Sequence, residues 1–157
     1  MTKRIKLDKK DKQILKILQK QGRITNAQLA IDVGLSPAPT LERVKKLEKL
    51  GIIESYHAKI NKAAVGLGVS TFVQVTLKSH NKAVIARFTE EINKVDEVVE
   101  CHHTTGTSDF ILKVVARDIP AYQELMLEYV TEIMDIDEIV SIVILSTIKD
   151  TNSVPIP

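Results

Sequence analysis

The feature that most constrains this chain is a helix stop followed almost at once by a helix start. Gly34 ends one helical segment, and Ser36-Pro37 opens the next, with only Leu35 between them. Glycine relieves the left-handed conformation at a helix end, and Ser-Pro suits the cap and the first helical position. The segment before the stop opens on Thr25-Asn26-Ala27-Gln28, which has the capping-box form, and presents Leu29, Ala30 and Val33. An earlier helix is expected from Asp8 and Asp11, with a stripe of Ile14, Leu15 and Leu18 and a stop at Gly22. The third helix is expected to run to about Leu50, closed by Gly51, with Pro39 still inside its first turn. Leu41, Val44, Leu47 and Leu50 recur every three residues and are expected to form its buried stripe. Two helices joined by so tight a turn make a helix-turn-helix.

Charge is divided along the chain. Residues 1–60 carry 14 Lys/Arg and 6 Asp/Glu, a balance of +8, whereas residues 61–157 carry 8 and 14, a balance of −6. A compact basic module points to a polyanion, with double-stranded DNA the leading candidate, and an acidic second half points to different business. The third helix is about 20 Å long, and its first turns suit the major groove. Candidate DNA-binding residues follow from position and chemistry. Ser36, Ala38 and Thr40 are small and permit close approach, with Pro37 and Pro39 between them. Arg43 suits a guanine edge or a phosphate, whereas Arg23, Lys45, Lys46 and Lys49 suit phosphates. Glu42 lies on the same face and opposes a purely phosphate-binding surface. The bland alternative is a three-helix bundle with lysines kept for solubility.

Ile52–Ile60 is rich in β-formers and is expected to be a strand, making the head a winged helix-turn-helix over residues 1–60. Residues 61–68 are expected to be a hinge. Residues 69–150 read as two strand–helix–strand units. The strands are expected at 69–77, 98–104, 110–116 and 139–148. The first helix is expected over 82–92, and the second, opened by Ile119-Pro120, carries Tyr122, Leu125, Met126, Tyr129, Val130 and Ile133. The order β-α-β-β-α-β is the ferredoxin-like arrangement, so the fold class is α+β: an N-terminal winged helix-turn-helix joined to a C-terminal ferredoxin-like βαββαβ domain. Two helices cover one sheet face, so the bare face is expected to pair with a second copy. Residues 151–157 are expected to be a loose tail.

Several segments together resemble the DNA-binding head of the leucine-responsive regulatory protein (Lrp/AsnC) family: 8–15, 22–25, Gly34-Leu35-Ser36-Pro37, 43–48 and Gly51-Ile52-Ile53-Glu54-Ser55-Tyr56. Residues 100–109, ending Gly106-Thr107-Ser108-Asp109, resemble the family's second-domain loop with its Gly-x-x-Asp. The resemblance implies a transcription regulator and dimers that join into larger rings, often octamers. It also implies a small amino-acid effector held between dimers near that loop. On this reading the effector-binding candidates are Thr104, Thr105, Gly106, Thr107, Ser108 and Asp109, with Ile139 and Ser141 on the last strand. Asp109 suits an α-ammonium group, and the hydroxyls and exposed N–H groups suit a carboxylate. A plain hairpin turn, with Asp109 bonding its own backbone, explains the same residues without a ligand. Where the family tends to show Pro-Gly-Val and then Thr-x-Thr, this chain has Met134-Asp135-Ile136 and Ile139-Val140-Ser141. An apolar Ile139 suits a hydrophobic amino acid.

Cys101, His102 and His103 invite a metal or catalytic reading. Only Cys101 and His103 share a strand face, and two ligands make no zinc site. No paired carboxylates or phosphate loop accompany them, so neither catalysis, metal nor a cofactor beyond the effector is expected. Forty-four per cent hydrophobic and 27% charged residues fit a globular chain, and no apolar run is long enough to span a bilayer. One cysteine and the absence of an apolar stretch behind Met1–Lys6 fit a cytoplasmic location. A competing function, amino-acid sensing through protein partners without specific DNA binding, remains compatible with the same residues.

Overall fold

The computed structural model describes residues 5–130 and 135–157, the side chains of Tyr129 and Val130 excepted. It divides into two compact units: the chain up to Lys59 together with Lys149–Pro157, and Ile60–Ile148.

The first unit holds three helices, α1 (Lys9–Leu18), α2 (Asn26–Val33) and α3 (Pro37–Lys49). The cap of α1 is a full capping box: Asp8 accepts from the Asp11 N–H at 2.8 Å, and Asp11 accepts from the Asp8 N–H at 3.2 Å. At α2 the box is half made. Thr25 accepts from the Gln28 N–H, but the Gln28 amide turns along the helix to Asp32 at 2.7 Å. Gly34 ends α2 with φ +65°, and Leu35 N–H donates back to Ala30 at 2.9 Å, closing the helix end through the backbone. Asn26 reaches across it to the Pro37 carbonyl at 2.8 Å. Gly22 is not the stop of α1, which ends at Leu18 with Gln19 as its cap.

Ile14, Leu15, Leu29, Val33 and Leu47 form the head's core. The stripe expected on α3 is corrected. Leu41 and Leu50 are 42% and 43% exposed, and the inward positions are Thr40, Arg43, Val44 and Leu47. A helix turns 100° per residue, so a three-residue spacing drifts by about 60° at each step and cannot keep four residues on one face; the i, i+3, i+4, i+7 set can. Residues 52–60 form no strand, because no sheet partner meets them among the described residues. The tail over 151–157 is not loose. Val154 N–H donates to the Gln19 side chain at 2.6 Å, Ile156 packs on the head's core, and Asp150 pairs with Lys59 at 2.9 Å.

The second unit is a four-stranded antiparallel sheet, β1 (Val69–Leu77), β2 (Val98–His103), β3 (Phe110–Ala116) and β4 (Ile136–Val143), in the order β2-β3-β1-β4. This is the strand order of the ferredoxin-like fold. Helix α4 (Lys82–Ile92) and helix α5 (Ile119–Leu125), which continues as a π-helical turn over Met126–Val130, are capped by Asn81 and Asp118. Strand β1 alternates: Thr71, Val73, Val75 and Leu77 are buried, while Phe72, Gln74 and Thr76 face away. Phe88 and Phe110 meet in the core with ring centroids 4.5 Å apart. The last strand begins and ends earlier than the expected 139–148, and Leu145 and Ile148 are 96% and 94% exposed. Residues 61–68 contain a 3₁₀ turn, Ala63–Val65, and belong to the second unit. Of the helical stripe expected after Ile119, Tyr129, Val130 and Ile133 lie outside the described side chains.

Candidate nucleic-acid interface and effector loop

The exposed side of α3 presents Ala38, Leu41, Glu42, Lys45, Lys46 and Lys49, with Ser36, Pro37 and Pro39 exposed at its tip. Ser36 occupies the cap position with extended backbone, yet its hydroxyl makes no capping bond, so the tip carries a free polar group. The ammonium groups of Lys45, Lys46 and Lys49, and the guanidinium of Arg23, have no carboxylate partner among the described residues. That is three cations within five residues on one helix face, next to a short apolar tip. Leu41 is the surface residue that the three-residue stripe concealed.

Two candidates move off this surface. Thr40 is fully buried, and its hydroxyl donates to the Ser36 carbonyl at 3.0 Å, because it sits on the inward seam of α3. Arg43 lies one turn along the same seam. Its Nη1 donates to Asp8 Oδ2 and to Asp11 Oδ1, each at 2.6 Å, so the group expected to read DNA is engaged within the head. The backbone N–H of Asp11 and then Arg43 hold the Asp8 carboxyl below its ordinary range.

At one end of the sheet, Thr104–Asp109 forms a closed loop. Thr104 N–H donates to the Asp109 carbonyl at 2.8 Å, and the Thr104 hydroxyl donates to the Ser108 carbonyl at 3.0 Å. Gly106, with φ +127°, takes a conformation that side-chain-bearing residues rarely adopt. The crest Thr105-Gly106-Thr107 is exposed. Asp109 is tied inward at both oxygens: Oδ2 accepts from Leu77 N–H at 2.8 Å, and Oδ1 lies 2.9 Å from His80 Nε2. Its backbone N–H donates to the Val75 carbonyl at 2.9 Å, and Val75 pairs with Ile139 on the other side. Asp109 and Ile139 therefore flank β1 at the same level. Ile139 packs partly on the core, and Ser141 shares a hydrogen bond with the Tyr122 hydroxyl beneath α5. The structure thus groups the loop with Ile139 at one sheet end and leaves Ser141 two residues further along β4.

Cys101 and His103 share the helix-side face of β2 as expected, with His103 stacked on Phe110 at 4.8 Å and His102 on the opposite face beside Glu100. Burial pushes the Cys101 thiol up, away from a reactive thiolate. Among the described residues no group of three or more His, Cys, Asp or Glu is placed to hold a metal ion, and no helix is long and apolar enough to cross a membrane.

A tight two-helix unit with a bare cationic face, followed by a ferredoxin-like sheet with a closed glycine loop at one end, fits one class: a DNA-binding regulator with a second, regulatory domain. The comparisons agree with that class. Residues 7–54 match the winged helix-turn-helix DNA-binding family, and residues 70–154 match the Lrp/AsnC ligand binding domain. The leucine-responsive regulatory proteins of Escherichia coli K12 and Klebsiella pneumoniae are each 36% identical over 146 residues, 93% of this chain and 89% of theirs. A transcriptional regulator from Neisseria meningitidis, solved in complex with L-methionine, superposes with a TM-score of 0.92 at 35% identity, covering 96% of this chain and 97% of that one. An AsnC family regulator from Agrobacterium tumefaciens superposes with a TM-score of 0.90 at 33% identity, covering 95% and 97%. The chain belongs to the Lrp/AsnC family of transcriptional regulators.

Proposed function

We propose that the chain is a cytoplasmic, sequence-specific DNA-binding regulator whose affinity for DNA is set by a small amino acid bound between dimers. The observation that carries the DNA half is the outer face of α3, where Lys45, Lys46 and Lys49 stand exposed without carboxylate partners beside a small-residue tip. Ser36, Pro37, Ala38 and Pro39 approach the major groove, Glu42 tunes base choice, and Arg23 and the three lysines take phosphates. In a dimer, two such helices address half-sites about 34 Å apart or a multiple of that, so the operator is an inverted repeat.

The dimer forms through the bare sheet face. Phe72 and Ile142 face each other across β1 and β4 on that side, at 37% and 46% exposure, with Val140 and Ile111 beside them. An apolar band of this kind is buried in a self-complementary pair. Dimers then assemble into a ring, an octamer on the family pattern. The effector sits at the Thr104–Asp109 loop, its carboxylate on the crest of Thr105, Gly106, Thr107 and Ser108. Its α-ammonium group meets Asp109 once the exposed His80 swings aside. Ile139 favours an apolar side chain, a preference supported by the L-methionine bound to the Neisseria relative. Effector and DNA affinities are coupled reciprocally.

The test is a gel shift of the full chain against genomic fragments, with and without each amino acid, followed by footprinting of retained fragments. We expect a protected inverted repeat and an affinity shifted by at least one apolar amino acid. The Asp109→Asn variant keeps an acceptor for Leu77 N–H but loses the charge, so it is expected to retain DNA binding and lose the effector response. A set of fragments bound without preference refutes the DNA reading. An unchanged effector titration in Asp109→Asn removes Asp109 from the ligand site.

A further inference from the structure

Arg43 is placed in an unusual economy of bonds. Each of its two acidic partners divides its oxygens between two tasks. Asp8 gives Oδ1 to the Asp11 N–H and Oδ2 to Arg43; Asp11 gives Oδ2 to the Asp8 N–H and Oδ1 to Arg43. The capping box of α1 and the guanidinium of α3 are thus one closed polar unit. Asp11 is 6% exposed and is the only buried acid among the described residues. A buried carboxylate without its cation is costly, so the unit favours one placement of α3 against α1.

That placement controls the reading face. Arg43 follows Leu41 and Glu42 directly in sequence, and successive residues are separated by 100° around the helix. Holding Arg43 inward therefore fixes which residues point outward. Side-chain tips lie about 5–6 Å from the axis, so a roll of roughly 10° moves them by about 1 Å. Hydrogen bonds to base edges tolerate only a few tenths of an ångström before they weaken. Phosphate contacts by long lysines absorb such a shift more easily.

We propose that Arg43 is a positioning residue for DNA recognition: tied to Asp8 and Asp11, it sets the roll of α3 and thereby sequence discrimination, without touching DNA itself. This rests on the reading of α3 as the DNA-binding helix. A single nitrogen serves both carboxylates, so a lysine ammonium group can take its place. Asp11 is buried, so any effect of changing it on DNA acts through the Asp8–Asp11–Arg43 unit and not by contact.

The experiment measures the affinity of the full chain for its footprinted operator and for a scrambled duplex of equal length, across a salt series. It uses wild type, Arg43→Gln, Arg43→Lys and Asp11→Asn, at a temperature where circular dichroism shows each folded. Arg43→Gln and Asp11→Asn are expected to lower the operator-to-scrambled ratio by about tenfold, a loss of about 1.4 kcal/mol. Scrambled-duplex affinity and salt slope are expected to stay at wild-type values, and Arg43→Lys to keep most of the ratio. If Arg43→Gln does not fold, Asp11→Asn and Arg43→Lys carry the comparison. Three results overturn the proposal: a salt slope reduced by about one contact in Arg43→Gln, which makes Arg43 a phosphate ligand; an unchanged ratio in Asp11→Asn; or a ratio in Arg43→Lys as low as in Asp11→Asn. A wild-type protein with no operator preference sinks the DNA reading as well. A wild-type preference that the variants leave intact sinks only the role given to Arg43.

Discussion

Among the described residues, the sheet unit gathers fourteen buried hydrophobic residues into one cluster, with Thr71 buried beside them, whereas the helical head gathers five. The head compensates with polar structure. Its interior admits Asp11 and Thr40, its α1 cap is joined to Arg43, and its margin is covered by the returning segment Lys149–Pro157. Five fully buried aliphatic side chains, with partly buried ones such as Leu18, Val44 and Ile156 packed on them, supply less burial than the sheet's fourteen at roughly 1.5–3 kcal/mol per buried residue, before the cost of ordering the chain. Charge ties and a covering segment then decide whether the head holds its shape. The lesson is that the proposed DNA-binding surface is carried by the unit with the smaller fully buried core.

The largest contrast is expected from truncating one residue in each core. Leu47→Ala in the head costs about 2–5 kcal/mol, and Phe88→Ala in the sheet about 3–5 kcal/mol. Leu47→Ala is expected to abolish DNA binding while size-exclusion chromatography still shows the wild-type oligomer. Phe88→Ala is expected to dissociate the oligomer. Loss of assembly in Leu47→Ala would mean that the units do not fail independently.

A smaller effect is expected from deleting residues 151–157, which removes Ile156 from the head's core and the Val154 bond to Gln19. A loss of about 1–3 kcal/mol is expected. It is read as faster amide exchange in α1, with β3 unchanged. Unaltered exchange in α1 would return this segment to a free tail.

The smallest contrast lies on the acid side. The folded pKa of Asp8 lies below its ordinary 3.8, chiefly through the Asp11 N–H and then Arg43. That of Glu100 lies below 4.5, chiefly through Lys113. A depressed carboxyl contributes stability above its unfolded pKa and loses it as pH falls through the folded value. Both units therefore weaken below about pH 4, and the head, with fewer apolar contacts, is expected to lose exchange protection first. Simultaneous loss in both units would erase the distinction.

Much of this was legible in the chain because local signals and tertiary structure agreed. Asp8, Thr25, Gly34 and Pro37 mark helix ends by chemistry that acts within four residues. Thr71, Val73 and Val75 alternate because a half-covered sheet demands it. The seam of α3 was not legible as a stripe, since Thr40 and Arg43 are polar and only the structure supplies their partners in the backbone and in α1. Nor was the end of β4: the apolar run Ile142–Leu145 signals burial, yet pairing with β1 stops at Val143. Residues 151–157 read as a tail because their partners, Gln19 and the head's core, lie more than a hundred residues away in sequence. At the candidate ligand site the Gly106 turn was readable, but the attachment of Asp109 to Leu77 N–H and His80 was not, since both come from another strand's end.

The proposed regulator binds DNA through the lysine face of α3, which meets phosphates. The direct measurement is the salt dependence of operator binding by wild type and by a Lys45→Gln, Lys46→Gln, Lys49→Gln variant. If each lysine neutralises one phosphate, the slope of log affinity against log salt should shrink by about 2.7, at roughly 0.9 per contact. Circular dichroism and the oligomer should be unchanged. A variant whose slope and affinity match wild type would contradict the claim that this helix lies on DNA.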